Sequence, residues 1–381
     1  MPSGSFWKKE IKWTRGKLAV LFCALFLLSG IAGGIFSNFI FPHLSGVPFL
    51  NLIDPRSPLV INRTEQVVIN DGMNTREVYD RLKAVTVTVA SYPSTFNFSE
   101  RQFVPPTVGA GLIATADGLI ITTKSVVGAP KNKIRVFLSD KTSFDATLAA
   151  LDGKSDLALI KISKDNLPVP QFALPEELIA GDRLISIGAN FSESDPPMLQ
   201  TQLVSLPSLS YPYPNYHSSE TNDEYLSVNA PYAQNSEGAS LANRQSRIAG
   251  IFTKSGILTG HYLQAVLTNY LSTRALFWPS LGLNYMVLSS AESLLLGLPA
   301  KEGMLVVSRP GVPAVSLSGA AARAGIREGD FIYRVNNGDF SAVKNSLNRV
   351  LSTSKPGDQI EMVFWRAGVE QTIKATLKSL P

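Results

Sequence analysis

The sequence predicts a mainly β chain behind one N-terminal transmembrane helix, and three observations predict it. Short strand signals recur from Val85 to Leu206, with no long helix between them. Turn residues such as Ser139-Asp140, Asp152-Gly153 and Ala180-Gly181-Asp182 punctuate them. One run without charge, Leu18 to Phe41, precedes them all.

That run is 24 residues long, about 36 Å as a helix, against a hydrocarbon core of about 30 Å. Residues 1–17 carry Lys8, Lys9, Lys12, Arg15 and Lys17 against Glu10, a net +4 out of the formal +5 for all 381 residues. A pI of 9.1 therefore reports a topogenic signal rather than a nucleic-acid surface. The positive-inside rule puts residues 1–17 in the cytoplasm and 18–41 across the cell membrane in a single pass. The bulk of the chain is then extracytoplasmic. Trp7 and Trp13 fall at the cytoplasmic interface. Small residues at Ser29-Gly30 and Ala32-Gly33-Gly34 leave a cleaved signal peptide as the alternative, although its apolar core is usually only about 7–15 residues. The single cysteine, Cys23, lies in this run, so the external part has no intramolecular disulfide, thiolate nucleophile or cysteine zinc site. No metal or cofactor is expected, because His, Cys and carboxylates are nowhere spaced as ligands. Sequons occur at Asn62, Asn97 and Asn190.

Residues 42–74 read as a linker, with Pro42, Pro48, Asp54-Pro55 and Asp71-Gly72. Thr75–Leu82 has helical spacing through Val78 and Leu82, and Val85–Ala90 alternates as a strand. Further strands are expected at 112–114, 119–122, 134–138, 157–162, 184–187 and 199–206. Such a series argues for a barrel arrangement. The Pro- and Tyr-rich stretch from Tyr211 to Asp223 is expected to be a surface loop. Leu263, Val266, Leu267 and Tyr270 give 261–276 helical spacing, and the composition shifts again at Trp278-Pro279.

Residues 109–127, with Asp117-Gly118, Ile120-Ile121-Thr122 and Val126-Val127, resemble the strand-and-turn segment of HtrA/Deg serine proteases. The family histidine is replaced there by Ser125. Asp152 to Ile162 resembles the strand whose second aspartate orients that histidine, which falls on Asp156. Asn229 to Asn243 resembles the nucleophile turn. Without gaps the nucleophile's counterpart is Glu237, and with a one-residue slip it is Ser236. The glycine and proline that flank the family's nucleophile motif are absent, which places the oxyanion hole in doubt. The resemblance implies a trypsin-like double β-barrel domain over 75–276. Of His43, His217 and His261, none precedes Asp156 within the barrel, and a Lys124–Ser236 dyad is the one substitute in view. A serine hydroxyl with no base does not attack, so the chain is expected not to be an enzyme, with no triad intact.

Residues 277–381 resemble an HtrA-type PDZ domain, chiefly through Ala321-Ala-Arg-Ala-Gly-Ile-Arg-Glu-Gly-Asp-Phe-Ile332. The resemblance implies capture of protein or peptide C-termini by the loop Ser280, Leu281, Gly282 and Leu283. Val343 and Leu347, with Val350, would wall the side-chain pocket. It further implies trimers, with copies of itself or with other HtrA-like subunits. The expected function is that of a membrane-anchored pseudoprotease that binds or scaffolds proteins. The alternatives are an active HtrA-like serine endopeptidase of envelope quality control and an inactive partner of an active paralogue.

Overall fold

The computed structural model describes residues 15–35, 38, 75–93, 105–189, 199–203, 216–222, 225–229, 237–341 and 345–380. The chain divides into two units, Met1–Ile69 and Asn70–Pro381. In the first, α1 (Arg15–Ile35) is an exposed helix of 21 residues whose most apolar 18-residue stretch has mean hydropathy 2.4. Its length of about 32 Å and its composition suit a membrane span, and a signal sequence has the same properties. The basic segment before residue 15, the linker 42–74 with His43 and Asn62, and the sequons Asn97 and Asn190 lie outside the described residues.

The second unit begins with α2 (Thr75–Val85), which buries Val78, Leu82 and Val85 along one stripe. A closed barrel follows in the order β1-β2-β3-β6-β5-β4. Its strands are β1 (Thr86–Tyr92), β2 (Thr107–Ile113), β3 (Leu119–Thr123), β4 (Lys133–Phe137), β5 (Ser143–Leu151) and β6 (Leu157–Ile162). The single turn α3 (Lys124–Val127) leaves the end of β3. All five residues of β3 are buried, as expected for a strand covered on both faces. Gly109 lets β2 pass close to α3, since a Cβ there would meet Val126 Cγ2 at 2.2 Å.

The chain continues through β7 (Arg183–Ile187), β8 (Leu199–Leu203), β9 (Tyr216–Ser218), β10 (Tyr225–Leu226), β11 (Ser240–Ala242), β12 (Ile248–Thr253) and β13 (Gly256–Thr259). Six of these form a second sheet in the order β10-β13-β12-β11-β7-β8, and β9 does not belong to it. The helix α4 (Gly260–Thr273) is capped by the Thr259 hydroxyl and ends at left-handed Arg274. It buries Leu263 and Val266 in one core shared with Leu112, Ile121, Leu157, Ile185 and Leu258 of both sheets.

Beyond Trp278, the C-terminal region comprises β14 (Pro279–Ser280), β15 (Asn284–Leu288), α5 (Ser290–Leu295), β16 (Gly303–Val306), α6 (Ala320–Ala324), β17 (Phe331–Val335) and β18 (Gly338–Asp339). It ends with α7 (Leu347–Thr353), β19 (Gln359–Arg366), β20 (Val369–Thr376) and β21 (Lys378–Ser379). Pairing of β14 with β21 brings the two ends of this region together. Its main sheet runs β20-β19-β17-β16-β15-β9, over a core that includes Leu281, Tyr285, Met304, Ile332, Leu347 and Phe364. The stretch expected to be a surface loop thus corrects to a strand in part. Residues 216–218 stand apart from the second sheet and pair antiparallel with β15, His217 opposite Tyr285. Backbone pairing supplied from elsewhere in the fold overrides the local Pro- and Tyr-rich composition.

Candidate active site

Thr123 ends β3, and its hydroxyl accepts the Val126 N–H at 3.3 Å, which starts the turn that presents Ser125. The Asp156 carbonyl accepts the Lys124 N–H at 2.8 Å and fixes the same turn from the start of β6. Ser125 Oγ lies 2.9 Å from Thr123 Oγ1 and 3.5 Å from Asp156 Oδ2, and donates a hydrogen bond to Glu237 Oε2. Glu237 reaches this point from the second sheet: its carbonyl accepts the Ala110 N–H at 2.8 Å, and Gly238 N–H donates to Phe252 O at 2.8 Å. Ser125, Asp156 and Glu237 are therefore brought together where the two sheets meet. Ser236 lies outside the described residues, and with it the Lys124–Ser236 pair.

The cluster places two carboxyls and a hydroxyl in a half-buried setting. Burial raises the Asp156 carboxyl above its ordinary range, against the lowering pull of Lys124, Lys254 and the Ser125 hydrogen bond. Burial likewise raises Glu237, helped by the charge of Asp156 and opposed by Lys254 and Thr123. A hydroxyl bonded to a carboxyl whose proton affinity is raised toward neutrality is an arrangement for proton transfer. His217 stacks on Tyr285 with ring centroids 5.2 Å apart. Burial and nearby Arg349 hold His261 below its ordinary value, with Glu176 opposing. Neither is a partner of Ser125. Among the described residues no group of His, Cys, Asp or Glu is arranged to hold a metal.

The loop Ser280–Leu283 is engaged. Leu281 and Gly282 donate their N–H groups to Glu220 Oε1 at 3.2 and 2.7 Å, and Leu283 N–H donates to Ser219 Oγ at 2.9 Å. Leu281, Leu283 and Leu347 are buried in the core of this region, each at most 1 % exposed. Val350 packs against the same core, and Val343 lies outside the described residues. Thr123, Lys254 and Glu220 were not among the expected site residues. Thr123 was findable as a hydroxyl two residues before Ser125. Nothing local marks the other two.

A closed six-stranded barrel beside a second β sheet, with the cluster at their junction, defines a chymotrypsin-type architecture. The trypsin-like peptidase domain family matches residues 109–251. A relative named a probable periplasmic serine endoprotease, DegP-like, from Marinomonas sp. (strain MWYL1) is 26% identical over 89% of this chain and 73% of its own length. Another of that name, from Ectopseudomonas mendocina (strain ymp), is 27% identical over 74% of this chain, which spans 58% of that relative. Among solved structures, the HtrA-type protease AlgW with tripeptide superposes with a TM-score of 0.59 at 21% identity, over 81% of this chain and 97% of its own. A serine endoprotease from Yersinia pestis gives 0.53 at 22%, over 81% and 98%. The chain thus resembles HtrA-like proteins in sequence and shares their trypsin-type fold. The expectation that it is not an enzyme is overturned, because its relatives are named serine endoproteases. Reading inactivity from the lost histidine left out the carboxyl that Glu237 brings to Ser125. The apolar α1 and the periplasmic relatives are consistent with a membrane-anchored extracytoplasmic protein.

Proposed function

We propose that this protein is an extracytoplasmic serine endopeptidase in which Ser125 supplies the nucleophile and Glu237 the base. The observation that supports this is the hydrogen bond from Ser125 Oγ to a carboxyl that burial has made more basic. Glutamate serves as a general base when its proton affinity is raised toward the working pH. In the first step Glu237 takes the Ser125 proton as Oγ bonds to the scissile carbonyl carbon. The C–N bond then breaks, and Glu237 returns that proton to the departing amine. In the second step Glu237 takes a proton from water as the water oxygen attacks the acyl carbon. The acyl–Oγ bond then breaks, Glu237 returns the proton to Oγ, and the new carboxyl end departs as the Ser125 hydroxyl is restored. Asp156 adds negative charge that keeps Glu237 basic, and Thr123 holds the hydroxyl in line.

The C-terminal region in this reading is a PDZ domain that captures polypeptide ends at the Ser280–Leu283 loop and delivers them to the first domain. The N-terminus is cytoplasmic, and assembly into trimers with HtrA-like subunits belongs to the same proposal. An unfolded casein digest, with a fluorophosphonate probe in parallel, tests the chemistry. Cleavage and labelling at Ser125 are expected. Ser125→Ala should abolish both, and Glu237→Gln should slow cleavage by about 10²–10⁴-fold. Labelling at any other serine, or undiminished cleavage by Ser125→Ala, overturns the assignment.

A further inference from the structure

We infer that residues 216–220 are an internal stand-in for a peptide C-terminus. They close the edge of β15 until an external chain bearing a free terminal carboxylate displaces them. The inference rests on the peptide-capture reading above.

The segment occupies the edge in the manner an added strand would. Tyr216, His217 and Ser218 pair antiparallel with Met286, Tyr285 and Asn284. The ladder then runs on into the loop, where Ser219 N–H donates to Leu283 O at 2.9 Å. An exposed sheet edge that accepts a strand in this way gains its affinity from main-chain hydrogen bonds. The next residue, Glu220, ends the strand as a terminal carboxylate would. Its Oε1 accepts from Gly282 N–H, Leu281 N–H and Ser219 Oγ–H at 2.7, 3.2 and 2.8 Å. Gly282 has φ +78, and a Cβ there would stand only 3.0 Å from Gly319 Cα and Ser316 Cβ, so any other residue would strain the loop that offers this N–H.

The imitation is incomplete. Glu220 Oε2 is buried and has no hydrogen-bond partner among the described residues. A buried oxygen left unpaired is costly, and more so on a carboxylate. A main-chain carboxylate at the end of a competing strand can turn both oxygens to the loop, so it replaces an imperfect occupant with a better one. The segment is also held from the other side. Lys154 Nζ donates to Ser219 O at 2.9 Å and Asn222 N–H donates to Lys154 O at 2.9 Å. Lys154 stands two residues before Asp156, so displacement of the segment releases a contact on the turn that carries one carboxyl of the active site.

Full-length protein in detergent micelles, titrated with a fluorescein-labelled decapeptide ending in valine, tests the inference by fluorescence anisotropy. The peptide is used as the free acid and as the amide, against the unmodified chain, Glu220→Ala and Glu220→Gln. A site closed nine-tenths of the time binds about tenfold more weakly than the open site. The free acid should therefore bind Glu220→Ala about tenfold or more tighter than the unmodified chain, with Glu220→Gln between them and the amide weak throughout. Amide exchange at Leu281 and Gly282 should quicken in Glu220→Ala and slow again with peptide. Should Glu220→Ala fail to fold, Lys154→Met loosens the same segment and should shift affinity in the same direction. Equal free-acid affinity in all variants, with the amide weak, overturns the internal occupant and leaves peptide capture standing. Equal binding of acid and amide, or none by any variant, overturns both.

Discussion

Gly238 packs so closely on Ala110 that a Cβ built on it would fall 1.8 Å from the Ala110 carbonyl oxygen. Its φ of +77 is one that other L-residues rarely adopt. This contact between the second sheet and the barrel sets where Glu237 emerges, and so brings its carboxyl to Ser125. Gly238→Ala should cost roughly 2–4 kcal/mol, because the strain of positive φ adds to an overlap that only backbone movement relieves. Gly368, at φ +87 with nothing within 4 Å of its Cβ position, supplies the control and should cost about 1 kcal/mol as alanine. Denaturant unfolding of the two variants measures both. Equal losses would mean that the Ala110 contact sets nothing.

The raised Glu237 and Asp156 carboxyls fix the sign of a pH effect. Each binds its proton more tightly folded than unfolded, so the folded state holds more protons between the unfolded and folded pKa values. Stability should thus fall as pH rises from the ordinary carboxylate range through the raised values. Glu237→Gln should flatten that fall and melt higher than the parent at pH 7, though not at pH 4. Cleavage should move the opposite way and rise with pH through the same window, since the base must be ionised. Melting curves and rate profiles on one buffer series check both. A Glu237→Gln profile parallel to the parent's would show that the carboxyl is not perturbed.

Much of the barrel was legible because its strands are sequence-local signals. The run Leu119–Thr123 joins apolar Leu119, Ile120 and Ile121 to β-branched Thr122 and Thr123, and all five are buried, as in a strand covered on both faces. Ser125 and Asp156 could be placed from their flanking residues alone. Glu237 and Ser236 could not be separated as counterparts of the nucleophile, because a one-residue slip within 229–243 matches the motif about as well. β5 escaped notice although Ser143–Leu148 alternates polar and apolar residues, because its side chains are mostly exposed or half-buried and it lacks the long apolar run that marks β3 and β6. β9 was illegible for a different reason. Tyr216–Ser218 is a strand only by pairing with β15, far along the chain, and no pattern within residues 211–223 announces a partner.

Arg366 and Asp330 anchor the C-terminal sheet. Asp330 is 1 % exposed and accepts from Arg366 Nε at 2.6 Å and from a terminal guanidinium nitrogen at 2.5 Å. The same nitrogen donates to Gly325 O at 2.8 Å. Arg366→Ala leaves a buried carboxylate without its countercharge and should cost about 3–5 kcal/mol. Arg366→Lys should recover only part of it, since an ammonium cannot present the two-pronged geometry. Removing both charges with Asp330→Asn and Arg366→Met should cost less than Arg366→Ala alone. Urea unfolding of the three variants decides this, and a double variant no better than the single one would sink the account.

Asp152 does for the trypsin-like domain what Asp330 does for the C-terminal one, with hydroxyl and indole donors in place of a guanidinium. It is fully buried, and it accepts from Tyr262 Oη at 2.7 Å and from Trp278 Nε1 at 2.5 Å, with Ser155 and the Lys154 N–H as further donors. One carboxylate thereby ties the turn before β6 to α4 and to the segment leading into β14. Tyr262 and Trp278 stack with centroids 5.6 Å apart. The phenol is pushed well above its ordinary value, first by burial and then by the Asp152 charge. In sequence Asp152 reads only as a turn residue, because its donors come from helix and strand ends more than a hundred positions away. Tyr262→Phe removes one donor from a carboxylate that keeps others and should cost about 1–2 kcal/mol. Asp152→Asn turns an amide donor toward groups that are themselves donors and should cost more, about 2–4 kcal/mol. Chemical unfolding gives these costs. Asp152→Asn should also shift Trp278 emission at denaturant concentrations where the secondary structure is intact, because the indole N–H loses its acceptor first. A variant as stable as the parent, with unchanged emission, would show that the three segments are held together by packing alone.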